Sequence, residues 1–138
     1  MRVELESPFT SFGIGASVPI GTSGLVHVWG RNDMVTTQRM GIGWTVTDPD
    51  GVIVEEYGTW EGWPYTPPGD DHEFVGARFD INKVGAYMIA IELRMNEPDP
   101  IVVDSYAGLL CQVTEEYAGA IIKKELEYDS VRGDIPVL

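Results

Sequence analysis

Apolar residues alternate with polar or small ones in short runs along most of the chain, and Gly, Pro, Asn and Asp separate the runs. A period of two is the mark of half-buried strands. The clearest run sets Tyr87, Ile89, Ile91, Leu93 and Met95 on one face, with Met88, Ala90, Glu92 and Arg94 on the other. Val3 and Leu5 predict a short first strand that ends at Ser7-Pro8, and Leu25-Val26-His27-Val28-Trp29 predicts the next, stopped by Gly30-Arg31-Asn32-Asp33. Met40, Ile42, Trp44 and Val46 share one face of a third strand, which runs into Asp48-Pro49-Asp50-Gly51. In that turn Pro fixes φ, Asp bonds back to the backbone and Gly relieves the exit, so Val52-Ile53-Val54-Glu55-Glu56-Tyr57 returns as the hairpin partner.

A connection over 58–71, rich in Trp, Pro and Gly, follows. Residues 74–79 then predict a strand, Asn82-Lys83-Val84-Gly85 a turn and Asn96-Glu97-Pro98-Asp99-Pro100 a loop. Residues 101–103 and 109–113 predict one interrupted strand or two short ones, and 121–128 alternate again. The lysines and glutamates of 121–128 suit an added edge strand, because charge blunts edge-to-edge pairing.

Short strands with turn signals at roughly ten-residue spacing predict an all-β sandwich or barrel. Trp44 in the third strand, and Tyr87 just after the Lys83-Val84-Gly85 turn, stand where an immunoglobulin-like sandwich buries its central Trp and corner Tyr. The expected fold is therefore an immunoglobulin-like, antiparallel two-sheet β-sandwich over 1–115, with a jelly roll as the alternative. Residues 116–138 are expected to add a C-terminal strand, packed on the same domain or on a neighbouring subunit. A faint echo links Glu4-Leu5-Glu6 and Val18-Pro19-Ile20 to Glu125-Leu126-Glu127 and Ile135-Pro136-Val137, but the spacings differ and chance accounts for it.

The segment Trp44-Thr45-Val46-Thr47-Asp48-Pro49-Asp50-Gly51-Val52-Ile53-Val54, with Pro68-Gly69, Phe74, Phe79 and Lys83-Val84-Gly85-Ala86-Tyr87, resembles immunoglobulin-like adhesion modules of the CARDB type. It is similar also to sandwiches of phage tail and capsid-decoration proteins. The resemblance covers residues 18–113 and consists of turn chemistry plus alternation, so it implies a fold and says little about function. The Trp-rich connection and the strand after Val113 depart from the pattern, and these are where a particular function is expected.

Composition narrows the partners. The 138 residues, 43% of them hydrophobic, suit one domain. A formal charge of −13 disfavours nucleic acid and anionic membrane as partners. Cys111, the only cysteine, excludes an intrachain disulfide and reads as a buried apolar residue. No signal peptide is visible after Met1, and no apolar run reaches the ~18 residues of a membrane span.

No nucleophile motif, phosphate loop or metalloprotease signature appears. His27 reads as a strand residue of mixed exposure. Asp70-Asp71-His72-Glu73 reads as a solvated acidic loop, since adjacent residues rarely converge on one ion. Asp48 and Asp50, with Asp104 or Glu55 in reach, lack the ligand series of a calcium loop. Arg132-Gly133-Asp134 is the integrin tripeptide, explained here by a turn. Neither a metal, a cofactor nor an enzymatic activity is expected.

The binding residues expected are Trp60, Trp63 and Tyr65, three aromatics within Trp60-Glu61-Gly62-Trp63-Pro64-Tyr65. Such rings cap an open end of the sandwich, anchor a protein interface or stack on sugar rings beside carboxylates. The function expected first is a non-catalytic structural module of a phage or prokaryotic virion (capsid, decoration or tail), made in the host cytoplasm. Its partners would be further copies of itself or other virion proteins. The alternative is a carbohydrate-binding or adhesion module at a cell surface that uses the Trp-rich loop on a glycan.

Overall fold

The computed structural model describes residues 1–7 and 10–115, so the expected strand over 121–128 and Arg132-Gly133-Asp134 lie outside the described residues. Among the described residues ten strands form two layers. They are β1 (Arg2–Ser7), β2 (Thr10–Gly13), β3 (Ala16–Pro19), β4 (Thr22–Arg31), β5 (Gly41–Thr47), β6 (Ile53–Trp60), β7 (Asp71–Val75), β8 (Phe79–Ile81), β9 (Gly85–Met95) and β10 (Ile101–Thr114). The first sheet runs β2-β1-β4-β7, with β8 also on β4; the second runs β3-β10-β9-β5-β6. Every pairing is antiparallel except β3 with β10, which is parallel and makes the second sheet mixed rather than purely antiparallel. The all-β sandwich expected from the alternation is the fold observed.

Alternation places the core. Val26 and Val28 of β4, Ile42, Trp44 and Val46 of β5, and Tyr87 through Leu93 at every second position of β9 point between the sheets and are buried. The Trp44 indole lies 4.5 Å from the Tyr57 ring. Tyr87 is fully buried, and its hydroxyl accepts from the backbone N–H of Asn82 (3.2 Å) and Lys83 (3.3 Å), which pins the turn before its own strand. Glu55 ties the layers: it accepts from Trp44 Nε1 at 2.9 Å and from the Ala77 N–H at 2.7 Å. A carboxylate so placed satisfies donors that burial would otherwise orphan, so Glu55 is a core residue and not a calcium ligand.

Several boundaries differ from expectation. The connection expected over 58–71 begins later, because β6 continues to Trp60 opposite Gly41. The strand expected over 74–79 is two strands, β7 and β8, broken at Gly76. A Cβ at Gly76 would lie 2.4 Å from Glu55 Oε2 and 2.8 Å from Trp44 Cζ2, so the chain passes beneath that pair where only glycine fits. Residues 71–73 are β7, not an acidic loop. Residues 101–114 form one strand with register shifts at Val103 and Leu110, the interrupted form of the two alternatives. The short strands β2 and β3 were not expected; four residues each is too little alternation to read.

The Asp48-Pro49-Asp50-Gly51 turn is as its chemistry predicts. Asp48 Oδ1 accepts from the N–H of Asp50 and Val52, and Gly51 takes a φ of 82°. Lys83 Nζ bridges Asp48 (2.7 Å) and Asp50 (2.9 Å), where a cation would otherwise be invited. That hydrogen bond from Lys83 holds the Asp48 carboxyl below its ordinary range.

Candidate functional site

The outer face of the second sheet is unusually bare. Cross-strand partners on that face come in rows, and one row sets Gly58 opposite Gly43, Gly43 opposite Glu92, and Glu92 opposite Ser105. The next sets Glu56, Thr45, Ala90 and Ala107 side by side. Five of those eight residues are Gly, Ala or Ser, so the sheet surface is left as the floor of a groove of about 600 Å³. Glu56, Glu92 and Arg94 stand along it. Arg94 donates to Glu92 at 2.6 Å, and its guanidinium lies over Gly43, where a Cβ would come within 3.1 Å of it.

Trp60 ends the neighbouring row, Trp60-Gly41-Arg94. Its indole lies flat on Gly41, whose Cβ, were there one, would fall 2.7 Å from the ring. Trp60 therefore lies on the sheet's outer face one cross-strand row beyond the groove floor, and it does so because position 41 has no side chain.

The Trp-rich loop, 61–70, leaves the sheet just beyond. Glu61 holds it: this carboxylate is only 4% exposed and accepts from Met40 N–H (2.9 Å), Thr66 N–H (3.3 Å) and Thr66 Oγ1 (2.9 Å). Arg39 donates through Nε to the Glu61 carbonyl at 2.8 Å and pairs with Glu97. Its guanidinium lies 6.0 Å from the Trp60 ring and 5.6 Å from the Tyr65 ring, within reach of cation–π attraction. Two of the three expected binding residues thus meet on one guanidinium. Trp63 stands apart, 83% exposed, and none of the three belongs to the hydrophobic core.

Sequence reasoning located the aromatics and missed the groove. Its signal was present, since Gly41, Gly43, Ala90 and Ala107 all fall on the polar side of alternating strands, where larger side chains are usual. Only the strand register places them together.

Elsewhere the candidate groups are occupied. His27 projects from the first sheet with Nδ1 2.6 Å from Glu73 and Nε2 2.8 Å from Glu6. Partial burial opposes its charge, but the hydrogen bonds to Glu73 and Glu6 outweigh burial and raise its pKa above the ordinary value. His72 Nδ1 lies 3.4 Å from Glu61. Burial pushes the Cys111 thiol up to about 12, so it is neither thiolate nor accessible. Among the described residues no group of three His, Cys, Asp or Glu is placed to hold a metal ion.

No family model matches the sequence, and no curated protein matches it. Solved structures do. A calcium-binding mutant of Bacteroides uniformis β-glucuronidase 2 superposes with a TM-score of 0.57 at 11% identity, over 78% of this chain and 13% of that one. The B. uniformis β-glucuronidase gives 0.54 at 10% identity, over 78% and 12%. The C-terminal domain of Wzt gives 0.50 at 17% identity, over 82% and 71%. The fold is a β-sandwich. At such identities the likeness is one of fold, and this chain spans only about an eighth of the glucuronidase chains it matches.

Proposed function

We propose that the protein is a non-catalytic binding module that holds a glycan chain along the outer face of its second sheet. The observation that carries this reading is the groove with its floor of Gly43, Gly58, Ala90 and Ala107, and Trp60 one cross-strand row beyond it on the same face. An indole matches the apolar face of a pyranose, and carboxylate, guanidinium and hydroxyl groups suit sugar hydroxyls. Glu56, Arg94, Thr45 and Ser105 supply those groups beside a floor low enough for a chain of rings to lie flat. Tyr65 shares the Arg39 guanidinium with Trp60.

Two further points support it. The glucuronidases that share the fold are enzymes of carbohydrate chemistry by name. Glu92 is paired with Arg94, which suits hydrogen bonding better than proton transfer. The virion role, and the CARDB-type or phage-type kinship, rest on composition and turn motifs alone; none of the similarities reported above is to a viral protein. A glycan-binding module fits a virion or a cell surface equally well.

A glycan array followed by calorimetry tests the reading. Wild type should bind at least one polysaccharide, and Trp60→Ala should weaken that binding by about tenfold or more, the cost of one lost stacking contact. Failure of wild type to bind any glycan overturns the proposal, and release of free sugar during incubation overturns its non-catalytic half.

A further inference from the structure

Resting on the glycan reading, we infer that the site is longer than its groove. It takes an uncharged linear polysaccharide along the strands, with Trp60 at its middle and a second cavity, beside Tyr65, at its far end. Thr45, Gly43, Gly41 and Arg39 fall at every second position of one line of chain. Thr45 and Gly43 belong to the groove, Gly41 carries the Trp60 indole, and Arg39 lines a separate cavity of about 280 Å³ with Gln38, Tyr65, Asn96 and Glu97. Pairing continues that far, because Glu61 N–H donates to the Met40 carbonyl and Gln38 and Thr66 exchange backbone bonds at 3.0 Å. At ~3.3 Å per residue the six steps from Thr45 to Arg39 span roughly 20 Å, the length of about four pyranose rings.

Trp60 lines neither cavity. Its ring occupies the row between them, flat on Gly41 and 6.0 Å from the Arg39 guanidinium. A stacking platform between two polar hollows suits a chain of sugars that crosses both. The far cavity has the groups such a chain needs. Gln38 donates its amide nitrogen to Thr36 Oγ1 (2.8 Å) and Asn96 donates its own to the Asp99 carbonyl (3.1 Å). Each amide oxygen is thereby left to accept a sugar hydroxyl. The Tyr65 ring, 5.6 Å from the same guanidinium, adds a second aromatic surface.

The charges along this line select an uncharged chain. Both guanidiniums are already matched, Arg94 by Glu92 at 2.6 Å and Arg39 by Glu97. Neither is left to neutralise a uronate or sulfate. Glu56, on the groove wall, has no cationic partner among the described residues, so an anionic sugar there would meet a like charge.

Calorimetry with cello-, manno- and malto-oligosaccharides of two to six units tests the inference, each series paired with its C6-oxidised, uronate-bearing form. For at least one neutral series, affinity should rise about tenfold or more from two to four units and then level off. The uronate form of that series should bind about tenfold or more weaker. Tyr65→Ala should remove most of the rise with length, Tyr65→Phe should keep it, and Gln38→Ala should shrink it. Ala90→Trp should lower affinity at every length. Affinity that levels off at two units, or a rise that both Tyr65→Ala and Gln38→Ala leave intact, overturns the inference while the glycan reading stands. Uronate chains that bind as well as neutral ones do the same. Binding to none of these chains also overturns it, and the glycan array then decides whether the glycan reading falls with it.

Discussion

The two outer faces of this sandwich are built from the same alternating pattern and come out opposite. On the first sheet the positions carry long side chains that bind one another. Arg2 lies 3.7 Å over the Trp29 ring, His27 stacks on Trp29, Glu6 and Glu73 take both imidazole nitrogens, and Arg78 reaches Glu6. On the second sheet most of the equivalent positions are Gly, Ala or Ser, and the surface stays open. One face spends its polar groups on itself; the other leaves room and keeps a Trp at the border. A fold with two solvated faces need devote only one to a ligand, and the side-chain volumes say which.

Filling the open face should give the largest effect. Ala90 is exposed in the middle of the groove, so Ala90→Trp adds an indole where the ligand lies without entering the core. Glycan affinity should fall by about 100-fold or more, close to 2.7 kcal/mol. The melting temperature should stay within about 3 °C, as for most surface substitutions. Val75 on β7 is exposed on the closed face, and Val75→Trp should leave affinity unchanged. Equal losses in both variants would break the contrast between the faces. Isothermal titration calorimetry and thermal scans read both quantities.

Glu61 tests whether the loop beyond Trp60 belongs to the site. Glu61→Ala leaves the buried donors Met40 N–H, Thr66 N–H and Thr66 Oγ1 without their acceptor, and should cost about 2–4 kcal/mol in chemical denaturation. Glu61→Gln keeps an acceptor oxygen and should cost about 1 kcal/mol. If Tyr65 and Trp63 contribute contacts, Glu61→Gln should also weaken binding by roughly threefold, less than Trp60→Ala does.

What the sequence revealed, and what it hid, follows the same division. The core was legible because Tyr87, Ile89, Ile91, Leu93 and Met95 repeat at period two, and the Asp48–Gly51 turn because each of its residues has a local reason to be there. Tyr87 and Trp44 were placed by their distance from turns. Missed were features that depend on partners far along the chain. Gly76 breaks a strand because Trp44 and Glu55 arrive above it from the other sheet. Trp60 looked like a loop residue because Gly58 precedes it, although Gly58 pairs with Gly43 in an unbroken ladder. Glu61, the group that fixes the loop, read as one more acid in an acidic chain; nothing local separates a buried carboxylate from a solvated one.

The smallest effect concerns the closed face and pH. The folded-state pKa of His27 is raised, so the stabilisation from its charged ring is fully present below the unfolded value near 6.5 and is lost as pH rises through the folded value. Glu6 and Glu73 face the ring from β1 and β7, with Trp29 stacked beside it and Arg78 at Glu6. Denaturation midpoints should therefore fall between pH 6 and pH 9, and His27→Gln should flatten that slope at a cost of about 1 kcal/mol at pH 6. Glycan affinity should not follow the same curve, because no part of the groove touches His27. A parallel loss of binding and stability in wild type, absent from His27→Gln, would mean that the faces communicate through the Trp44–Glu55–Ala77 tie between the sheets. The open face would then be a surface whose shape the closed face helps to set.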